Sequence, residues 1–411
     1  VIRTGKKFGL EVWDLGLILC MILLIGVGLL SIYSVSQAQA GTSFGSNFLK
    51  QVYWFFLGIV LFLVAFSIHP RYLEAFAYPV YGLAILSLLA VLVIGKTGGG
   101  AARWISFGGI RFQPSEWAKL ATVLALAKFL SDHHDTVNQT RNLLLAAVIG
   151  VLPMLLVAKQ PDLGTALVFA AILPAVLYWG GVKLETLILA VLPFATAVAS
   201  FNVWTFFGVM AILVGILIYA RKPPLVSGLL LGVNIAVGIF TPYLWQALHP
   251  YQQKRVLAFL GLVQDPRGIS YQVIQSKVAI GSGGLWGKGF LHGTQTQLRF
   301  LPEQHTDFIF SVIGEEFGFV GGMVILLLFS YLLMRGVRIA ASAKNRFYGL
   351  VAIGIVSIFF YHYFVNLGMA MGIMPVTGLP LPFVSYGGTF LTVSMASVGL
   401  LVGISRRKHE Y

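Results

Sequence analysis

Residues 15–32 read LGLILCMILLIGVGLLSI, eighteen consecutive positions without a charged side chain. A helix rises 1.5 Å per residue, so about 20 apolar residues cross a hydrocarbon core of about 30 Å. The run extends on both sides, and a first span is expected over 12–35. Working outward, comparable runs lie near 51–69, 74–95, 115–131, 143–159, 163–180, 185–201, 204–220, 224–246, 308–334, 347–371 and 384–404. The expectation is an all-α polytopic membrane protein of about twelve transmembrane helices. The spans between 185 and 246 are parted only by Asn202 and by Arg221 to Pro224. Composition agrees. Of 411 residues, 58% are hydrophobic and 10% charged, and the mean hydropathy is +0.86. A soluble domain carries about 25% charged residues and could not bury this much apolar surface.

The formal net charge is +14. In a membrane protein such an excess sits in cytoplasmic loops and sets orientation, so no nucleic-acid partner is expected. Arg3, Lys6 and Lys7 precede the first span, which is too long for a signal segment and is read as a retained helix. With the N-terminus inside, the short cytoplasmic loops hold Arg71, Arg141, Lys183, Arg221 with Lys222, and Arg335 to Arg346, and Arg406-Arg407-Lys408 also falls inside. The loops 96–114, 159–162, 247–307 and 372–383 then lie outside. The single cysteine, Cys20, is in the first span, so neither an intramolecular disulfide nor a zinc motif is available. No soluble domain is left over: the chain reads as one integral membrane domain, and loop 247–307 is the only one large enough to hold a site of its own. GxxxG spacings at Gly228/Gly232, Gly314/Gly318 and Gly368/Gly372 could bring helices close, but in a chain with 46 glycines they carry no assignment.

Nucleotide chemistry is set aside first. Gly95-Lys96-Thr97 lacks the upstream glycine of a phosphate loop, and the glycine run 281–289 lacks a strand-to-helix context. Intramembrane charge is more informative. Glu116 and Lys119 are three apart and share a helix face. They read either as a structural ion pair or as part of a polar cavity. Asp162 opens the sixth span, either as a helix cap or as a partner of Lys119 or another cation across that cavity. In the long loop, Asp265-Pro-Arg-Gly268 has the form of a type I turn. It is also a lone carboxylate among Lys254, Arg255, Arg267 and Lys277. A carboxylate so placed can act as general base, and the cations can neutralise a phosphate leaving group or attract anionic lipid headgroups.

Several motifs together resemble a known family. They are Ile274-Gln-Ser-Lys-Val-Ala-Ile-Gly-Ser-Gly-Gly284, Gly287-Lys-Gly289, His292-Gly-Thr-Gln295, and Phe300-Leu-Pro-Glu-x-His-Thr-Asp-Phe-Ile-Phe310. With them go Arg103-Trp104, Arg111-Phe-Gln113-Pro-Ser-Glu116 with Lys119, Gln160-Pro-Asp-Leu-Gly-Thr165, and Pro380-Leu-Pro-Phe-Val-Ser-Tyr-Gly-Gly388. Over nearly the whole chain they resemble the shape, elongation, division and sporulation (SEDS) proteins, and within them the rod-shape, RodA-type branch. The resemblance implies a glycosyltransferase that polymerises lipid II into β-1,4-linked glycan at the outer face of the bacterial cytoplasmic membrane during elongation. It implies a class B penicillin-binding protein as partner, alongside other elongation-complex membrane proteins and membrane lipids. It places the essential aspartate at Asp265 and the polar cavity at Glu116, Lys119 and Asp162. Candidates for holding substrate are Arg103, Trp104, Arg111, Gln113, Arg255, Gln275, Ser276 and Lys277. No cofactor is demanded, although a carboxylate with a diphosphate could hold Mg²⁺ or Mn²⁺. The family has ten spans where this chain shows about twelve. The surplus, about forty residues or two spans, falls within 181–246 and leaves the side of Asp265 unchanged. Two readings from other classes stand beside the enzyme: a lipid II flippase or other transporter, for which the cavity charges would matter more than Asp265, and a non-catalytic scaffold of the elongation machinery.

Overall fold

The computed structural model describes residues 14–38, 47–98, 101–107, 110–221, 223–247, 253, 257, 269–301 and 303–407. Among them the order is α1 (Leu15–Ala38), α2 (Asn47–Ser67), the short α3 (Pro70–Ala75), α4 (Ala77–Ile94), β1 (Lys96–Gly98), β2 (Ala101–Phe107), β3 (Ile110–Phe112) and α5 (Pro114–Asp132). There follow α6 (Thr140–Ala158), α7 (Leu163–Trp179), α8 (Leu184–Ala199), α9 (Val203–Tyr219), α10 (Pro224–Ala247), α11 (Ile269–Ser282), α12 (Thr294–Gln297), α13 (Ile309–Ser342), α14 (Arg346–Ala370) and α15 (Gly388–Arg406).

Seven of these helices are long and apolar enough to cross a membrane, and α4, α7, α8 and α9 are shorter apolar helices. With α5, which carries Glu116, Lys119, Lys128 and Asp132 in its 19 residues, these are the twelve segments read from hydropathy. The loops hold more order than their sequence suggests. The strands β1, β2 and β3 form an antiparallel sheet in that order, with Ile105 opposite Phe112. The loop 247–307, read from sequence as large enough to hold a site of its own, contains the 14-residue α11.

Lipid tails are as apolar as leucine, so helix association in a membrane rests on close packing and on polar contacts. The centre of the bundle is α14 and α15, whose apolar windows are 72% and 83% buried. At α15 the small residues Gly399 and Gly403 let α2 approach: a β-carbon on either would meet the carbonyl of Phe62 or Phe66 at 2.5 and 3.1 Å. Helices α8 to α10 form a satellite with its own cluster of Leu189, Leu192, Leu213 and Leu217, joined to the rest chiefly through α7. One buried polar contact inside it is the hydrogen bond from Thr196 to Asn234, 2.7 Å. Trp204 and Tyr219 stand exposed at the two ends of α9, as aromatic anchors at two membrane interfaces do.

Helix α13 is broken at Gly318, φ +64°. The freed backbone groups are met by the glycine segment 284–289: Lys288 and Gly289 donate to the carbonyls of Glu315 and Glu316, and Phe319 and Val320 donate to those of Gly284 and Leu285, at 2.9 to 3.1 Å. A side chain at Gly318 would meet the Leu285 carbonyl at 2.7 Å. Non-helical backbone within an apolar span persists only where protein satisfies it, and here glycine permits both the turn and the approach.

Candidate functional site

The site is organised by α5. Pro114 starts it, where a missing N–H costs nothing, and Gln113 is its half-buried N-cap residue. Glu116 and Lys119, one turn apart, face the bundle. Glu116 is 4% and Lys119 2% exposed. The Lys119 Nζ lies 2.7 Å from Glu116 Oε2, 2.9 Å from His362 Nε2 and 5.4 Å from the Phe390 ring centre. Buried charges survive only when paired and hydrogen-bonded, and this ammonium has an anion, a neutral acceptor and an aromatic face. On the other side, His362 Nδ1 lies 3.1 Å from the Pro380 carbonyl. One turn further along α14, Asn366 donates to the carbonyls of Asp307 and Leu379 at 3.1 and 2.8 Å.

Asp162 caps α7. It accepts from the Thr165 amide at 3.2 Å and from the Thr165 hydroxyl at 2.9 Å. It also pairs with a cation, but that cation is Arg103, at 3.4 Å, and not Lys119. Arg103 lies on β2 and donates from Nη2 to the Pro161 carbonyl at 3.1 Å. One guanidinium thus ties the small sheet to the start of α7. Trp104 follows on β2, half-buried, and Arg111 lies on β3 opposite Ser106.

The neighbouring face of α5 is apolar. Trp117, Leu120 and Leu124 line a groove of about 850 Å³ together with residues of α2, α3, α4 and α15 and with Phe112 at the edge of the sheet. Charge and an apolar trough therefore stand on neighbouring faces of one helix.

Asp265 and Arg255 lie outside the described residues, as do Lys254 and Arg267. Downstream, α11 carries three of the expected residues in different settings. Lys277 is exposed, and its side chain lies over Gly372, where a β-carbon would meet Nζ at 2.7 Å. Gln275 is half-buried. Ser276 is turned inward, its hydroxyl shared with Ser311 and donated to the Ala370 carbonyl at 2.6 Å. It packs α11 against α13 and α14.

Four residues of this region were not singled out from sequence. His362 and Asn366 were passed over, although a polar residue inside an apolar span is itself a signal. Glu315, fully buried, accepts from Lys288 at 2.7 Å, from both the amide and hydroxyl of Thr296, from the Gln295 amide and from the Thr294 hydroxyl. It holds 288–296 against α13, which gives the run from Lys288 to Gln295 a physical reason. Gln51 on α2 donates to the Ser385 carbonyl and accepts from the Gly387 amide. Among the described residues no group of three metal-ligating side chains occurs.

Comparison with known proteins covers the same span. The FtsW/RodA/SpoVE cell cycle protein family matches residues 15–207 and 191–410. The chain is similar to the peptidoglycan glycosyltransferase MrdB of Escherichia coli K12, 42% identical over 85% of this chain and 82% of that protein. It is also similar to the peptidoglycan glycosyltransferase RodA of Treponema pallidum, 36% identical over 97% and 99%. Among solved structures, a chain of a peptidoglycan synthase complex that coordinates polymerization and crosslinking superposes with TM-score 0.72, at 31% identity over 97% of this chain and 99% of that one. The rod shape determining protein RodA of Thermus thermophilus superposes with TM-score 0.65, at 27% identity over 97% and 98%.

Proposed function

This chain belongs to the FtsW/RodA/SpoVE family of cell cycle proteins, and from that premise we propose that it is a multi-pass membrane peptidoglycan glycosyltransferase that polymerises lipid II at the outer face of the bacterial cytoplasmic membrane. The observation that carries the substrate is α5. A polyprenyl-linked donor has a long apolar chain and an anionic diphosphate-sugar head. The groove along Trp117, Leu120 and Leu124 suits the first. The charged side of the helix, with Arg103 and Asp162 at the sheet edge, suits a polar head held nearby. Basic residues at Arg71, Arg141, Lys183 and Arg221 support an orientation with both termini cytoplasmic.

In the proposed step the acceptor's GlcNAc 4-hydroxyl attacks the donor anomeric carbon. The carbon–oxygen bond to the polyprenyl diphosphate breaks, the diphosphate leaves with the electron pair, and the hydroxyl proton passes to Asp265. An α-linked donor gives a β-1,4 product by inversion, for which one base suffices. Arg103, Arg255 and Lys277 are the cations for the diphosphate. Mg²⁺ or Mn²⁺, if used, would take its ligands from Asp265 and the diphosphate oxygens. Activity lost to a chelator and restored by either ion would support that use. A class B penicillin-binding protein supplies the crosslinking activity.

The test is lipid II polymerisation in proteoliposomes with the partner transpeptidase, parent against Asp265→Asn. Loss of about 100- to 10,000-fold is expected from removal of a general base. Glycan made at the parent rate by a folded Asp265→Asn protein would return that residue to its turn. No glycan from the parent would favour transport of lipid II or a scaffold.

A further inference from the structure

His362 sits in the middle of α14, fully buried, and the transfer step above gives it no part. Its two ring nitrogens face opposite kinds of group. Nε2 lies 2.9 Å from the Lys119 ammonium, which only donates. Nδ1 lies 3.1 Å from the Pro380 carbonyl, which only accepts. One protonation pattern satisfies both: a neutral imidazole with its proton on Nδ1 and its lone pair turned to Lys119. The Phe390 ring packs on the pair, 4.8 Å from the imidazole centre and 5.4 Å from the ammonium.

The other end of this contact is a turn with almost no slack. Asn366, one helical turn beyond His362, holds the Leu379 carbonyl. The Ser385 hydroxyl accepts from the Leu381 amide at 2.9 Å and donates to the Thr306 carbonyl at 2.6 Å. The Tyr386 amide donates to the His305 carbonyl at 2.9 Å. Pro380 is thereby coupled to the segment before Asp307 and, through His362, to the buried ion pair. No other described residue hydrogen-bonds both Lys119 and this turn.

We propose that His362 is a positioning residue for glycosyl transfer: it bridges the Lys119 ammonium and the Pro380 turn so that the buried ion pair and the outer surface keep one relative placement. The inference rests on the reading that the Glu116–Lys119 network serves that transfer. A histidine that merely fills space would contribute independently of Lys119. A bridging histidine loses its effect once Lys119 is gone.

The experiment is a double-mutant cycle. Polymerisation is measured for His362→Leu, His362→Gln, Lys119→Met and the double variant His362→Leu/Lys119→Met, all in proteoliposomes with the partner transpeptidase. Amide exchange of 379–387 is followed in the same samples. Leucine keeps the volume without either hydrogen bond, and glutamine offers one acceptor and one donor. His362→Leu should lower kcat by up to about 100-fold, the scale of an ångström-sized misplacement, with KM for lipid II little changed. His362→Gln should recover most of that rate. Exchange at 379–387 should rise in His362→Leu and in Lys119→Met and no further in the double variant, a readout that holds even where Lys119→Met is inactive.

A parent rate in His362→Leu, equal losses in the Leu and Gln variants, or exchange effects that simply add in the double variant would overturn the proposal. Should His362→Leu fail to fold, His362→Asn replaces it, being polar but too short to reach both partners. Asp265→Asn run alongside separates the two failures. If it is inactive while His362→Leu is normal, only the bridge is refuted.

Discussion

Removing the Lys119 ammonium is the perturbation whose magnitude follows most directly from the structure. Lys119 and Glu116 are 2% and 4% exposed and 2.7 Å apart. Lys119→Met keeps the length of the chain but leaves the Glu116 carboxylate buried without its cation. Breaking a buried pair from one side costs about 3–5 kcal/mol, whereas replacing both partners by apolar groups is often neutral. The loss of the donor to His362 Nε2 adds about 1 kcal/mol. The single variant should therefore lose about 4–6 kcal/mol, and Glu116→Leu/Lys119→Met should recover most of it. The assay is reversible unfolding in mixed micelles titrated with dodecyl sulfate, followed by tryptophan fluorescence. A Lys119→Met protein that unfolds at the parent midpoint would refute the reasoning. So would a double variant no more stable than the single one, because the argument requires the orphaned carboxylate to be the source of the loss.

Asn234→Leu removes the hydrogen bond from Thr196 inside the α8–α10 satellite. It should cost about 0.6 kcal/mol, the average for such bonds in a membrane, and leave polymerisation unchanged, both measurable on one preparation. Arg103→Ala should cost at most about 1 kcal/mol globally, since Arg103 is 28% exposed and the gain of such pairs is screened. Amide exchange across 101–107 should nevertheless rise, because Arg103 ties the sheet to Pro161 and Asp162. His305 is buried in the segment before α13, and burial pushes its imidazole below the ordinary value of 6.5, with Glu303 pulling part of the way back. The unfolded chain then binds more protons than the folded one between that lowered value and about 6.5. Stability should be flat above that window and fall as pH falls through it, and unfolding midpoints from pH 8 to pH 5 should drop more in the parent than in His305→Gln.

Which parts of this arrangement were legible in the sequence follows from the range of the forces involved. The twelve apolar segments were legible because spanning is decided by length and composition within one segment. Glu116 beside Lys119 and the cap at Asp162 were legible because both depend on neighbours three residues away. The partner of Asp162 was not, since Arg103 reaches it from a sheet 59 positions upstream, and the alternative of Lys119 was equally open on spacing. GxxxG spacing, which carried no assignment, has the same limit. Nothing lies within 4 Å of a β-carbon built at Gly228 or Gly232, while Gly314/Gly318, Gly368/Gly372 and the equally spaced Gly399/Gly403 are all closely approached, because spacing says that a neighbour could approach and not whether or which one does.

The polar residues set in apolar helices show how that gap closes. Each of Gln51, His362 and Asn366 costs free energy in a membrane unless it has a partner, so each announces a contact without naming it. In the structure all three turn to a single stretch of backbone: Gln51 to Ser385 and Gly387, His362 to Pro380, Asn366 to Leu379. That stretch, Leu379 to Gly387, contains two prolines and lies outside helix and sheet, and side chains meet several of its carbonyls and amides. Read together, the polar side chains of the spans and the irregular backbone of the turn are two halves of one requirement, and His362, in meeting it at Pro380, also reaches Lys119.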